Sequence, residues 1–362
     1  MRRARPDRRV ALLVCASLWA ALSAPRSVSE NSDRRVVLRG GWAGEQAGGP
    51  FSGASSEAQE PLTAEEDKAS SSSADVPQFG GPSSVAGRLS GDAEPKESYY
   101  RYRGIERSLG PWFEMKDRLA DKRGFSFGID YSALYQSASE SLGGAEDRAA
   151  GGLLELPMSW TLFEGKGGST GTLVFKTDHG HRLGTEVAPE DLGAEVGAAS
   201  LTGSGFGDFD LAVINLYWQQ SFNEGRLTYV AGRVDPSDYV DSYAMVDTFS
   251  FSRFLGDRLL PFVRAGWSDG GGDALMEGLV SAGFGLLRKS HDLFGLGLSW
   301  GRPSEATFGP DLDDQITADV FYRLTLSPRF AVTPDVQILL DPALNPNEDT
   351  IFFFGLRARL TL

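Results

Sequence analysis

From Phe125 to the end of the chain, apolar and polar side chains alternate with a period of two. In the last segment Phe352, Phe354, Leu356, Ala358, Leu360 and Leu362 alternate with Phe353, Gly355, Arg357, Arg359 and Thr361. The pattern recurs at Ile316, Ala318, Val320, Tyr322, Leu324 and Leu326 against Thr317, Asp319, Phe321, Arg323 and Thr325. It recurs at Val263, Ala265 and Trp267 against Arg264, and at Leu154, Leu156, Met158, Trp160 and Leu162 against Glu155, Pro157, Ser159 and Thr161. Phe125, Phe127, Ile129, Tyr131, Ala133 and Tyr135 alternate in the same way with Ser126, Gly128, Asp130, Ser132 and Leu134. Successive side chains of a strand point to opposite faces, so each segment predicts a strand with one apolar and one polar face. Tracts such as GGAEDRAAGG, EGKGGSTG, SDGGGD and DPALNPNED supply the turns between them.

An alternating strand fits a soluble sandwich, whose polar face meets water. It also fits a membrane barrel, whose apolar face meets lipid and whose polar face meets a lumen. Several features favour the barrel. The apolar stripes run about ten residues, the length a tilted strand needs to cross a bilayer. Aromatic residues lie near strand ends, at Tyr131, Tyr135, Trp160, Tyr217, Trp218, Trp267, Trp300 and Tyr322, as in an interfacial girdle. The expected fold is therefore all-β, a transmembrane antiparallel β-barrel of about 12 to 16 strands, preceded by a disordered tail and a short helix. Its inward face would carry Asp130, Glu155, Arg264, Asp319, Arg323, Asp335, Gln337, Arg357 and Arg359. Those charges are costly in lipid and tolerable in a watered lumen, where mixed signs make a transverse field and can hydrogen-bond sugar hydroxyls.

The region before Phe125 reads differently. Arg2, Arg3, Arg5, Arg8 and Arg9 precede an apolar run from Val10 to Leu22, and Ala21 and Ser23 supply small residues at the −3 and −1 positions. Residues 1–23 are expected to be an export signal that carries away Cys15, the only cysteine. Residues 24–98, rich in Ser, Gly, Ala, Glu and Pro, have too little apolar surface to offset ordering entropy and are expected to be a disordered tail. In 99–123, Trp112, Phe113, Met115 and Leu119 are spaced for a short amphipathic helix ending at Gly124. The barrel itself would occupy 124–362.

Composition removes other classes. With 35 basic and 49 acidic residues the net charge is −14, which argues against nucleic acid as a partner. His179 and His181, at a spacing of two, have no further ligands nearby to complete a metal set, and none is expected. The glycine-rich SDGGGD and TGSGFGD tracts lack the Lys-Ser/Thr of a phosphate loop. Asp311, Asp313 and Asp314 read as a solvated loop rather than a calcium site. His291, in a turn, has no nucleophile motif beside it. No cofactor and no enzymatic chemistry are expected.

The stretches AGRVDPSDYVD (231–241), DLFGLGLSWGRPS (292–304) and FYRLTLSPRFAVTPDVQILLDPALNPNEDTIFFFGLRARL (321–360) resemble the carbohydrate-selective outer-membrane porin family. So do GPWFEMKDRLADKRGFSFGIDYSA (110–133), LVFKTDHGHRLGTE (173–186), INLYWQQSF (214–222) and FVRAGWSDGGG (262–272). The resemblance covers about residues 107–362. It implies a barrel, commonly of about 16 strands, in the outer membrane of a Gram-negative-type bacterium, through which sugars and other small hydrophilic solutes diffuse. It implies pore-lining roles for Arg233 and Asp235 in the GR-x-DPSDY motif and for Arg264 in FVRAGW. The partners implied are sugars and outer-membrane lipid, with homo-oligomerisation left open. This chain departs from the family in two ways. It passes almost directly from DPSDY to FVRAG, leaving about 11 or 12 strand-like segments where an even number is needed to bring both ends to one side. It also ends in Leu362 rather than an aromatic residue, which bears on assembly. A shortened, non-conducting structural or binding barrel is therefore an alternative reading, as is a secreted β-sandwich lectin.

Overall fold

The computed structural model describes residues 84–93, 98–101, 103–165, 167–200, 202–223, 227–235, 247–252, 255–256, 258–268, 274–288 and 292–362. The expected export signal and most of the expected tail lie outside the described residues.

The described chain is an antiparallel sheet with few helices. Its strands are β1 (Phe125–Phe127), β2 (Asp130–Ala138), β3 (Arg148–Gly165), β4 (Ser169–Arg182), β5 (Phe209–Phe222), β6 (Leu227–Arg233), β7 (Asp247–Ser252), β8 (Leu259–Trp267), β9 (Met276–Leu287), β10 (Leu293–Pro303), β11 (Gln315–Ser327), β12 (Phe330–Leu340) and β13 (Thr350–Thr361). The helices are α1 (Val85–Ala93), α2 (Arg103–Arg123), α3 (Leu192–Val196) and α4 (Glu305–Phe308). The sheet path is β6-β5-β4-β3-β2-β13-β12-β11-β10-β9-β8-β7. Apart from the β2–β13 join, each neighbour in it is also the neighbour in sequence. That join pairs the first strand of the path in sequence with the last, as barrel closure requires, and Ile129 and Leu362 extend it by exchanging backbone hydrogen bonds of 3.0 and 2.8 Å. Strands β6 and β7 end the path, with no ladder between them among the described residues.

β1 and β2 are one strand. Phe127 faces Met158 and Asp130 faces Glu155, so the register against β3 does not slip between them. Gly128 donates to the carbonyl of Pro157 at 2.9 Å, but Pro157 has no N–H to return the bond, and the ladder is broken there. With β1 absorbed, the wall has twelve strands among the described residues, an even number.

The wall is apolar outside and polar inside. On β13, Phe352, Phe354, Leu356 and Leu360 are exposed, whereas Phe353, Gly355 and Arg357 are buried. Phe354 is 56% exposed and Arg357 only 7%. Leu216, Val263, Trp267 and Val320 stand exposed on other strands, while Asp130, Glu155, Lys176, Asp178, Asp319 and Asp335 are buried. A soluble sandwich would show the reverse. Of the expected girdle aromatics, Tyr135, Trp160 and Trp267 are exposed, but Tyr217 turns inward and is buried.

Short turns lie at one end of the barrel. The β3–β4 turn closes on Gly167 and Gly168, both at positive φ (73° and 66°), which glycine adopts without a Cβ clash. The other end carries the longer loops, including 183–208 and 304–314. α2 sits on the short-turn rim. The Trp112 ring meets Phe127 edge-on at 5.5 Å, the Arg329 guanidinium lies 3.9 Å from the centre of the Phe113 ring, and Lys116 Nζ donates to the Leu362 carbonyl at 2.9 Å. The helix ends at Gly124, whose φ of 62° and N–H bond to the Ala120 carbonyl close its last turn.

Candidate functional site: a charged lumen with two inserted segments

The inner wall carries the site, and two segments enter it. From the long-loop end, residues 183–208 fold inward. Leu192, Val196 and Ala198 pack against Ala138, Leu339, Ile351 and Phe353, joining β2, β12 and β13. Farther along the loop, Phe206 packs against Leu134 and Leu153. Polar ties fix the loop. The Gln136 amide donates to the Thr202 carbonyl at 3.2 Å, and Asn345 Nδ2 donates to the Val196 carbonyl at 3.0 Å. The Ala199 N–H donates to Gln315 Oε1 at 3.1 Å. The TGSGFGD tract is therefore the inner part of this loop, buried from Thr202 to Gly207.

The second segment is α1. It falls within the stretch 24–98, expected to lack structure, and is nonetheless a helix. Ser84 caps it, its Oγ accepting from the Gly87 N–H at 3.2 Å. Val85 is fully buried with Val174 and Tyr217, and Leu89, Val230 and Val234 pack around them. Tyr217 faces inward because α1 gives its ring an apolar surface there. A short run with two apolar residues four apart is too weak a periodicity to stand out in so polar a stretch, so composition hid the helix.

Arg88 on α1 reaches the wall. Nη1 donates to Glu155 Oε1 at 2.7 Å, and Nη2 donates to Glu155 Oε2 at 2.8 Å and Asp130 Oδ2 at 2.9 Å. Burial alone would lower the Arg88 pKa, but Glu155 and Asp130 raise it well above the ordinary value, so the guanidinium is charged at any working pH. Glu155 also lies 3.4 Å from Lys176 Nζ, which is 3.8 Å from Asp178. Arg359 Nε lies 2.9 Å from both oxygens of Asp130, and its Nη2 pairs with Asp92 of α1 at 3.3 Å. Arg357 donates to Ser132 Oγ at 3.0 Å and lies 5.2 Å from the centre of the Phe206 ring. One network thus runs from the short-turn end up to the tip of the inserted loop.

Among the candidates named from sequence, Asp130, Glu155, Arg357 and Arg359 come together in this network. Asp319 and Asp335 face the lumen elsewhere, on β11 and β12. Both oxygens of Asp319 and Oδ1 of Asp335 are buried with no hydrogen-bond partner among the described residues. Arg264 and Arg323 are partly buried and share their strands' inward registers. Glycines give the larger inner side chains room. A Cβ on Gly355 would strike the Asp335 carboxylate, and one on Gly295 would strike the Phe321 ring. Arg233 departs from the lumen placement: it is exposed and pairs with exposed Leu216, so it shares the outward register. Asp235 follows β6, and its N–H donates to Asn215 Oδ1 at 2.6 Å.

Sequence reasoning passed over Lys176 and Asp178 as lumen groups, although Val174, Lys176 and Asp178 alternate there with Leu173, Phe175 and Thr177. That signal was available. His179 and His181 lie on the outward register of β4. Their rings stack at 5.5 Å between centres, and the Tyr131 hydroxyl is 3.2 Å from His181 Nε2. No group of three or more metal-ligating side chains is found among the described residues, and His291 lies outside them.

A membrane-spanning β-barrel with an apolar outer wall and a charged inner one has the architecture of a porin. In sequence, residues 256–362 match the model of the carbohydrate-selective porin, OprB family, and the resemblance read from the sequence is borne out in that tract. Porin AaxA of Chlamydia felis is 29% identical over 122 residues, which are 32% of this chain and 27% of that porin's length. The high-pH structure of Pseudomonas putida OprB superposes with a TM-score of 0.49 at 10% identity, covering 74% of this chain and 99% of that one. A mutant of the Rh. blastica porin gives a TM-score of 0.30 at 9% identity, covering 66% of this chain and all of that one.

Proposed function

We propose that this chain is an outer-membrane porin through which sugars and other small hydrophilic solutes diffuse passively. The observation that carries this reading is the inversion of polarity on one strand: exposed Phe352, Phe354 and Leu356 beside buried Arg357. A wall of that kind is stable only between lipid and an aqueous or polar interior. Buried carboxylates and guanidiniums can exchange hydrogen bonds with sugar hydroxyls without chemistry, and no step requires a cofactor. The carbohydrate-selective family matched by residues 256–362 supports the choice of solute. Liposome swelling with purified protein tests it: swelling in mono- or disaccharides is expected, and impermeable liposomes would overturn it.

A second reading is a narrow barrel of the same family that does not conduct. The two inserted segments favour it, because α1 and residues 183–208 both occupy the lumen. Stable conductance steps in single-channel recording would eliminate it.

A further inference from the structure

We propose that α1 is a displaceable plug of the lumen, pinned through Arg88 to Glu155 and Asp130, and that its release sets how much of the lumen conducts. The placement is unambiguous in its contacts. α1 meets a cluster of inward-facing side chains on a run of adjacent strands: Asp130 on β2, Glu155 on β3, Val174 on β4, Tyr217 on β5 and Arg359 on β13. A helix that meets the inner face of so much of the wall lies inside it.

Two observations make the seat reversible rather than structural. First, the wall keeps its charges paired when α1 leaves. Asp130 retains Arg359, and Glu155 retains Lys176. Breaking a buried pair is costly because it leaves a charge uncompensated; here Arg88 and Asp92 would pass into water, and on the wall Arg329 loses its bond to the Asp92 carbonyl but keeps its contact with the Phe113 ring. Second, α1 does not form on its own account. It is nine residues long, with Gly87 and Gly91 within it, and helices that short are marginal without packing. It is helical because Val85 and Leu89 are packed and Arg88 is held. The path beyond it is tied at the rim: the Tyr100 N–H donates to the Leu326 carbonyl at 2.9 Å, and the Tyr99 hydroxyl donates to Asp292 Oδ2 at 2.7 Å. A released α1 would therefore stay tethered at the short-turn end and could return. The wall itself is built without α1: none of its ladders includes that helix.

Control of conduction presupposes the channel reading above, whereas the seat of α1 does not, so the test reads both. In a Cys15→Ala background, Val85→Cys is labelled with a thiol reagent in detergent, beside Ser108→Cys on the exposed side of α2. Unit conductance is recorded in planar bilayers for the parent, Arg88→Ala and Arg88→Lys, with folding of each checked by heat-modifiable migration. Val85→Cys is expected to resist labelling in the parent, to react as Ser108→Cys does once Arg88 is alanine, and to fall between with lysine, which keeps the charge but loses the two-pronged contact. Conductance is expected to rise severalfold in the alanine variant. Labelling of Val85→Cys at the Ser108→Cys rate in the parent would overturn the seat. Protection and conductance both unchanged by Arg88→Ala would overturn the pin. Release without conductance in any variant would uphold the plug and sink the channel reading.

Discussion

Arg359 and Asp130 are diagonal neighbours across the join between β13 and β2, with Arg359 Nε 2.9 Å from each carboxylate oxygen. The side chain of Asp130 is almost fully buried. The pair lies inside the lumen at the point where the barrel is stitched together, next to the Ile129–Leu362 exchange. Removing one partner from a buried ion pair leaves the other uncompensated, at a cost of about 3–5 kcal/mol. Asp130 keeps Arg88 when Arg359 is lost, so Arg359→Leu is expected to destabilise the detergent-solubilised barrel by less than that, seen as a lower unfolding midpoint in the loss of the fast-migrating folded form on heating or in urea. Arg359→Lys should recover part of it.

Asp319 and Asp335 stand apart from the network that holds α1. Asp130 and Glu155 answer Arg88, Arg359 and Lys176, while both Asp319 oxygens have no hydrogen-bond partner among the described residues. This part of the inner wall therefore holds carboxyl groups, buried at its surface, that the network around α1 does not neutralise. Asp319→Asn keeps the shape and removes the charge. It is expected to shift the reversal potential in a salt gradient toward anions while leaving unit conductance nearly unchanged. An unchanged reversal potential would remove Asp319 from the conducting path.

The inserted loop hangs on Phe206. Its ring, fully buried, packs on Leu134 and Leu153 and lies 5.2 Å from the Arg357 guanidinium. Truncating a buried Phe costs about 3–5 kcal/mol in a core. In a loop much of that would appear as local release rather than global unfolding. Phe206→Ala is expected to leave the barrel folded, to make residues 183–208 sensitive to added protease, and to raise the swelling rate for disaccharides more than for monosaccharides.

Much of the wall could be read from the sequence because lipid and lumen impose a strict period of two. The alternation around Arg357, Asp319 and Asp130 assigned each side chain to the face it occupies. Arg233 differs from its expected place for a local reason: a motif carries no register, and its pairing with exposed Leu216 puts it on the outward face. α1 and the 183–208 loop escaped for another reason. Their order comes from the inner wall they pack against, and a segment stabilised by tertiary contact carries little local signal. Arg88 could not be recognised as a lumen residue before Glu155 and Asp130 were seen facing it.

The last prediction concerns pH and the anchoring of the loop. Asp191 precedes α3 at the mouth of the inserted segment. Burial, then the neighbouring carboxylates Asp208 and Glu195, raise its pKa above the ordinary 3.8, against the opposing pull of Arg182. Arg182 is itself engaged, donating to Asp208 at 2.7 Å and to the Glu186 carbonyl at 2.6 Å. A carboxyl whose pKa is higher in the folded state binds its proton more tightly there, so the folded loop is favoured when the group is protonated. That contribution is fully present below the unfolded value and is lost as pH rises through the raised one. The loop is thus expected to be most firmly seated in acid and to loosen across the interval just above pH 3.8. Protease sensitivity of residues 183–208, measured with an acid-active enzyme over that interval, should increase with pH, and Asp191→Asn should flatten the dependence by holding the site neutral throughout. A profile that is equally steep in the Asp191→Asn variant would assign the pH response to another group.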